Sequence, residues 1–210
     1  MDNINQIKQA TIAGNMPLVL ELTDLALKAG VDPGEMIQQG FIPAMEVVGD
    51  KFAAGEIYVP EMLLAARAMK AALDKVKPLL MGKEIKTLGK AVIGTVQGDM
   101  HDIGKNLVAI MLEGSGFKVI DLGVDVPPDE FIDAVRDHNP DLIGLSALLT
   151  TTMNAMEETI RKLVAADLRD KVKVLIGGAP VSRLFADEIG ADDYAANAGE
   201  AVQLAKKLLD

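Results

Sequence analysis

His101 is one of only two histidines in a chain of 210 residues. It stands in GDMHDIGKN, residues 98–106, with Asp99 two positions before it and Gly104 three positions after. That pairing suits metal ligation. A ligating histidine usually donates its second ring N–H to a carboxylate, which fixes the tautomer and raises basicity. On an extended loop, side chains two positions apart point the same way, so Asp99 can reach the imidazole of His101.

The chain has no cysteine. Disulfides, thiolate metal sites and thiol nucleophiles are therefore excluded. One histidine without cysteines cannot build a closed zinc site. A single protein nitrogen suffices only for a metal that brings most of its own ligands, as in a corrin or a haem. Other readings stand beside this one. A lone histidine is often a surface or capping residue, and Gly98 and Gly104 could simply make a tight turn between a strand and a helix. A phosphate site would suit a loop before a helix. This loop lacks the Lys-Ser/Thr ending of a P-loop and the GxGxxG pattern, and two aspartates beside it would repel an anion. A phosphoacceptor domain would place an acidic pair at the end of its first strand, where this chain has Thr95-Val96-Gln97.

The elements that must hold this loop fall into two halves with different periods. Residues 1–80 read as helix. The first helix runs from Asn3 to Ala13. Asn15 is a candidate N-cap for a second, with Pro17 in its first turn, Gly30 as its stop, and Leu18, Leu22, Leu25 and Ala29 on one face. Asp32-Pro33 opens a third, with Met36, Ile37, Phe41, Met45 and Val48 inward and Gly55 near its end. Pro60 starts a fourth, where Leu63, Ala66, Met69 and Leu73 repeat at helical spacing. Short turns between them imply a four-helix bundle. MGKEIKTLG, residues 81–89, reads as a linker.

From residue 90 to 210 the apolar runs KAVIGTV, KVIDLGV, DLIGLSAL, KVLIGGA and the weaker DDYAAN alternate with amphipathic segments. Five such repeats predict a doubly wound, parallel five-stranded sheet covered by helices on both faces. Ligands of such sheets sit beyond the carboxyl ends of the strands, where strand order reverses. The candidate loops are 97–104, 124–128, 148–153, 177–182 and 196–199. His138, in VRDHNPD, lies at the opposite rim and reads as a surface residue.

Composition narrows the classes. Half the residues are apolar but only 3% are aromatic, so Ala, Leu, Ile, Val and Met must fill the core. The formal net charge is −10, and no basic patch of the kind that follows a phosphodiester backbone is present, which argues against nucleic acid as a partner. MDNINQIKQA lacks the pattern of a signal peptide, and no uncharged apolar run reaches the ~18 residues of a membrane span. A cytoplasmic protein with no membrane partner is expected.

Asp99-Met100-His101-Asp102-Ile103-Gly104 resembles the D-x-H-x-x-G signature of B12-binding domains that hold their corrinoid base-off/His-on. Ser146-Ala147-Leu148 is similar to the S-x-L that this family carries at the end of the third strand, and Gly177-Gly178 to the glycine pair that ends the fourth. Residues 47–73, VVGDKFAAGEIYVPEMLLAARAMKAAL, resemble the helical cap found before the B12 domain in methionine synthase and in small corrinoid proteins of methyltransferase systems. The likeness covers essentially the whole chain.

The resemblance implies a helical cap over 1–80, a linker over 81–89, and a flavodoxin-like corrinoid-binding domain over 90–210. It implies cobalamin or a related cobamide as cofactor, with His101 as the lower axial ligand of cobalt. Asp99 would accept the second N–H of His101, and Thr152 stands where a serine extends this relay in methionine synthase. Gly98, Met100, Asp102, Ile103 and Gly104 belong to the same loop. Gly104, Gly177 and Gly178 would make room for the displaced nucleotide tail, Ser146 and Thr150 would hydrogen-bond it, and Leu148 would pack on its base. Plain turn formation for the glycine pair and helix capping for Ser146 and Thr150 are the competing readings. Phe52 and Val59 align with apolar residues that shield the upper face, with ordinary core packing as the alternative.

The activity implied is methyl carriage: Co(I) takes a methyl group from a donor held by one methyltransferase, and methyl-Co(III) gives it to an acceptor such as tetrahydrofolate or coenzyme M held by another. A reductive activation protein would be a further partner. A B12-dependent sensor is the alternative, although such regulators usually begin with a DNA-binding helix-turn-helix and this chain begins with the bundle. A flavodoxin-like module without a corrinoid would leave three correctly spaced motifs unexplained.

Overall fold

The structure is a computed structural model that describes residues 2–80 and 87–209. The chain divides into two compact units. Among the described residues, one is helical and comprises residues 2–80 together with Gly114–Gly116; the other comprises residues 87–113 and 117–209. Of the expected linker, residues 81–86 lie outside the described residues, and 87–89 belong to the second unit.

The helical unit contains α1 (Asp2–Ile12), α2 (Met16–Lys28), α3 (Pro33–Glu35), α4 (Ile42–Ala53) and α5 (Val59–Val76). A π-helical stretch, Met36–Phe41, joins α3 to α4 without a break, so the unit has the four rods expected from the sequence. Pro43 lies in the first turn of α4. It cannot supply an N–H to the preceding turn, and a widened π turn is one way to absorb the missing bond. The expected caps are present. The Asn15 side chain accepts from Leu18 N–H at 3.2 Å, and Asp32 accepts from the N–H groups of Gly34 and Glu35 at 2.9 and 3.2 Å.

Two helical faces differ from expectation. The Leu18–Leu22–Leu25 stripe of α2 points outward, with Leu18 39% and Leu25 50% exposed, whereas Val19, Thr23 and Ala26 are fully buried. In α5 the buried stripe is Met62, Ala65, Ala66, Met69, Ala72 and Val76, and Leu63 and Leu73 are only half-buried. Both segments are apolar on more than one side. Periodicity then identifies a helix without choosing its inner face. The third rod behaves as expected, with Met36, Ile37, Phe41, Met45 and Val48 all buried.

The second unit is a five-stranded parallel sheet in the order β2-β1-β3-β4-β5. Its strands are β1 (Lys90–Thr95), β2 (Lys118–Asp121), β3 (Leu142–Ser146), β4 (Lys173–Gly177) and β5 (Asp193–Ala195). The intervening helices are α6 (Ile103–Gly114), α7 (Pro128–His138), α8 (Asn154–Ala165), α9 (Arg183–Ile189) and α10 (Ala198–Leu209). The strands are apolar on both faces, as a sheet with helices on each side requires. Val92, Ile143, Leu145, Val174 and Ile176 pack with Phe131, Met156, Ile160 and Leu163 from the helices to form its core. Strand order reverses between β1 and β3. In sheets of this kind ligands bind beside the loops that leave the carboxyl ends at the reversal.

Candidate functional site

His101 and Asp99 lie in the loop after β1, and Leu148, Leu149 and Thr152 in the loop after β3, so both flanks of the reversal point contribute. The pairing of β1 with β3 ends at Thr95 opposite Ser146. From there both chains leave the sheet together, and residues about fifty positions apart in sequence meet.

Asp99 is the centre of the arrangement. Its side chain is fully buried. Oδ1 accepts from the His101 backbone N–H at 3.1 Å and lies 2.7 Å from His101 Nδ1. Oδ2 accepts from Leu148 N–H at 2.7 Å, from Leu149 N–H at 3.2 Å and from the Thr152 hydroxyl at 2.9 Å. Burial by itself would push the Asp99 carboxyl up. The hydrogen bonds from Leu148, His101 and Thr152 more than offset that and hold it well below the usual carboxylate range. A charged acceptor facing Nδ1 makes that nitrogen the N–H donor. In the neutral ring Nε2 then carries the lone pair, and no hydrogen bond among the described residues engages it.

The expected relay of His101, Asp99 and Thr152 is thus a continuous hydrogen-bonded chain, with threonine supplying the hydroxyl. The local geometry is tighter than an extended loop. Oδ1 of Asp99 meets both the backbone and the ring of His101, so the aspartate closes a turn around the residue it orients.

The surroundings of the imidazole are apolar and open. The His101 side chain is 52% exposed. Met100, Ile103, Leu148 and Leu149, on the same two loops, are also exposed. Exposed apolar groups gathered beside one lone-pair nitrogen fit a large, partly apolar ligand that carries its own metal. No cluster of three or more metal-ligating side chains occurs among the described residues.

The remaining candidates divide. Asp102 accepts from Asn106 Nδ2 at 3.0 Å in the first turn of α6. Gly104 has open space where a Cβ would stand. Ser146 ends β3 and Thr150 opens a short 3-10 turn. Neither caps α8, whose N-cap residue is Met153. Gly177 and Gly178 are required by the protein's own backbone: a Cβ on Gly177 would sit 3.0 Å from Ala195 O, and one on Gly178 only 1.8 Å from Ala147 O, at φ +128°. Gly98 also has a positive φ, +83°. Phe52 near the end of α4 and Val59 at the start of α5 are half-buried in the helical unit. His138 is exposed at the end of α7, on the opposite rim.

Three residues escape a reading of the sequence. The buried Thr95 hydroxyl donates to His101 O at 2.9 Å. Asp125, in the loop after β2, accepts from Gly98 N–H at 2.6 Å. Lys105, 5% exposed in the first turn of α6, is paired with Asp121 at the end of β2. Asp125 reads as an ordinary loop residue, and Lys105 as an ordinary helix lysine. Only the GDMHDIGKN run itself hinted that its lysine was part of the loop's scaffold.

The comparisons with known proteins agree with this geometry. Two family models, each described as a B12 binding domain, match residues 89–205 and 4–77. A corrinoid protein of Desulfitobacterium hafniense (strain Y51) is 43% identical over 212 residues, which span 100% of this chain and 98% of the relative. The trimethylamine corrinoid protein of Methanosarcina barkeri is 43% identical over 99% of this chain and 96% of its own. Among solved structures, the methanol:cobalamin methyltransferase complex of Methanosarcina barkeri matches with a TM-score of 0.89 and 32% identity, over 99% of this chain and 80% of that one. No helix among the described residues is long and apolar enough to cross a membrane. With a matched B12-binding model over each half and a lone-pair imidazole at the sheet's reversal point, the chain belongs to the B12-binding family of corrinoid proteins.

Proposed function

We propose that this protein is the methyl-carrying subunit of a corrinoid-dependent methyltransferase system. The observation that carries the reading is the setting of His101: a buried, charged Asp99 holds Nδ1, and the ring is half-exposed on a rim that also carries exposed Met100, Ile103, Leu148 and Leu149. The residues fit a corrinoid, because that group brings most of its metal's ligands with it and would need one nitrogen from the protein. When bound, it supplies a cobalt that takes up and gives away a methyl group.

The protein's part is to hold and tune. His101 would hold the metal through Nε2. Asp99 fixes the ring, and Thr152 steadies Asp99, so proton sharing along this chain alters how strongly the imidazole donates. Met100, Ile103 and Leu148 cover apolar parts of the ligand. Gly98, Asp102 and Gly104 shape the loop, and the open space beside Gly104 admits the displaced nucleotide tail. Ser146 and Thr150 offer hydroxyls to that tail, and Gly177 and Gly178 keep its floor low. To Phe52 and Val59 of the helical unit falls the shielding of a bound methyl group from water. The polar groups around His101 bind no second substrate in this reading. The donor and acceptor are therefore held by separate methyltransferases, with a reductive activation protein as a third partner. The names of the trimethylamine and methanol relatives favour a small methylated compound as donor.

The test is reconstitution with cobalamin. Wild type should show the visible spectrum of a base-off, imidazole-ligated corrinoid. His101→Ala should lose the ligand signature. A protein that takes up no corrinoid would end the proposal. Mixing the reduced holoprotein with candidate methyl donors and their methyltransferases then tests carriage, read as methylation of the bound cofactor.

A further inference from the structure

We infer that the segment 121–125 after β2 is a bracket that positions His101 for ligation, and that Asp125 is its positioning residue. The inference rests on the proposed role of His101 and extends it to residues outside the relay. The segment runs beside the end of β1: Leu122 N–H donates to Ile93 O at 2.8 Å, Thr95 N–H to Gly123 O at 3.0 Å, and Val126 N–H to Thr95 O at 3.0 Å. From this rail two carboxylates reach the two flanks of the histidine loop. On the near flank, Asp125 accepts from Gly98 N–H at 2.6 Å, and the Asp125 N–H donates to Asp99 O at 2.9 Å. On the far flank, Asp121 Oδ2 pairs with the buried ammonium of Lys105, four residues past His101, while Oδ1 accepts from Gly123 N–H at 2.8 Å.

Asp125 adopts φ +54°, a left-handed conformation that disfavours most side chains. Aspartate is among the few side chains that tolerate it, and a glycine would hold that backbone at less cost. What the side chain adds is its carboxylate on Gly98 N–H. It orders the loop before any ligand arrives. Without it, ligation by His101 would have to order the loop as well, and the imidazole would compete less well for the metal.

The design of the test follows from the strain. Asp125→Gly relieves the backbone and removes the acceptor, whereas Asp125→Asn keeps both the tolerance for positive φ and an acceptor oxygen. Full-length protein carrying histidine labelled with the heavy nitrogen isotope would be reconstituted with cobalamin and reduced to Co(II). The nitrogen splitting in its electron paramagnetic resonance spectrum separates protein imidazole from the cofactor's own base. In Asp125→Gly the ratio of imidazole-ligated to unligated cobalt should fall roughly tenfold, the equivalent of one charge-assisted hydrogen bond. Its thermal midpoint should stay at or above that of wild type. Asp125→Asn should restore most of the ligation.

A wild-type ratio in Asp125→Gly, alongside its loss in His101→Ala, would overturn the bracket and leave the ligand intact. Isotope splitting that survives in His101→Ala would overturn the ligand itself. A measurement on the unaltered protein serves if Asp125→Gly does not fold. The Gly98 amide is at the surface, yet it should exchange slowly with solvent, and exchange at the free rate would also sink the inference.

Discussion

Long-range burial of polar groups sets the sheet unit apart from the helical one. In the helical unit the buried hydroxyls of Thr11 and Thr23 each donate to a carbonyl one turn back in their own helix, at 2.8 Å to Ile7 O and 2.7 Å to Val19 O. In the sheet unit, Asp99 and Thr152 are bound to each other across 53 positions of sequence, and Lys105 to Asp121 across 16. The first kind of burial satisfies a side chain locally and aims at nothing. The second gathers charge and hydrogen-bonding capacity at one rim. A polar group buried through long-range partners marks the functional end of this protein, and one buried against its own helix marks packing.

The glycines provide the hardest test of that contrast. Gly178→Ala puts a Cβ 1.8 Å from a backbone oxygen at φ +128°. It should cost about 4 kcal/mol or more and leave little folded protein at moderate urea. Gly55→Ala in the helical unit also meets a positive φ, +72°, but nothing lies within 4 Å, so it should cost only about 1–2 kcal/mol. Equal urea midpoints for the two would break the comparison.

Removing Asp99 should come next. Asp99→Ala strands the N–H groups of Leu148 and Leu149 and leaves the Thr152 hydroxyl only the Leu149 carbonyl, and should cost about 3 kcal/mol in urea denaturation of the protein without cofactor. The charge also sets a pH dependence. Because the folded protein holds this carboxyl below its unfolded value, its contribution is complete above about pH 4 and is lost as the pH falls further. The acid limb of stability should therefore be flatter in Asp99→Asn than in wild type.

The smallest effects come from one substitution made twice. Thr152→Val removes a hydroxyl that faces a buried carboxylate and should cost about 1–2 kcal/mol. Thr23→Val removes a hydroxyl that bonds its own helix, and should change stability by less than about 0.5 kcal/mol. A Thr23→Val cost as large as that of Thr152→Val would mean that local polar burial does more here than satisfy a donor.

Much of the architecture can be read without coordinates. The change from helical to alternating period predicted the helical unit and the five-stranded sheet, and Asn15 and Asp32 announced their helices by residue type. His101, with Asp99 before it, was legible because two residues in one loop needed nothing distant to meet. The inner faces of α2 and α5 were not legible, since an apolar residue on several sides of a helix leaves the choice to its neighbours.

What the linear order determined, then, is the set of elements, the proposed ligand and its first support, all of which depend on separations of a few residues. The fold alone decided that Asp125 and Lys105 flank the histidine loop, and that Gly178 answers to Ala147 rather than to its own turn. Those contacts exist because parallel strands bring the carboxyl ends of distant segments to one rim. No spacing rule along the chain encodes which side chains then face each other across it.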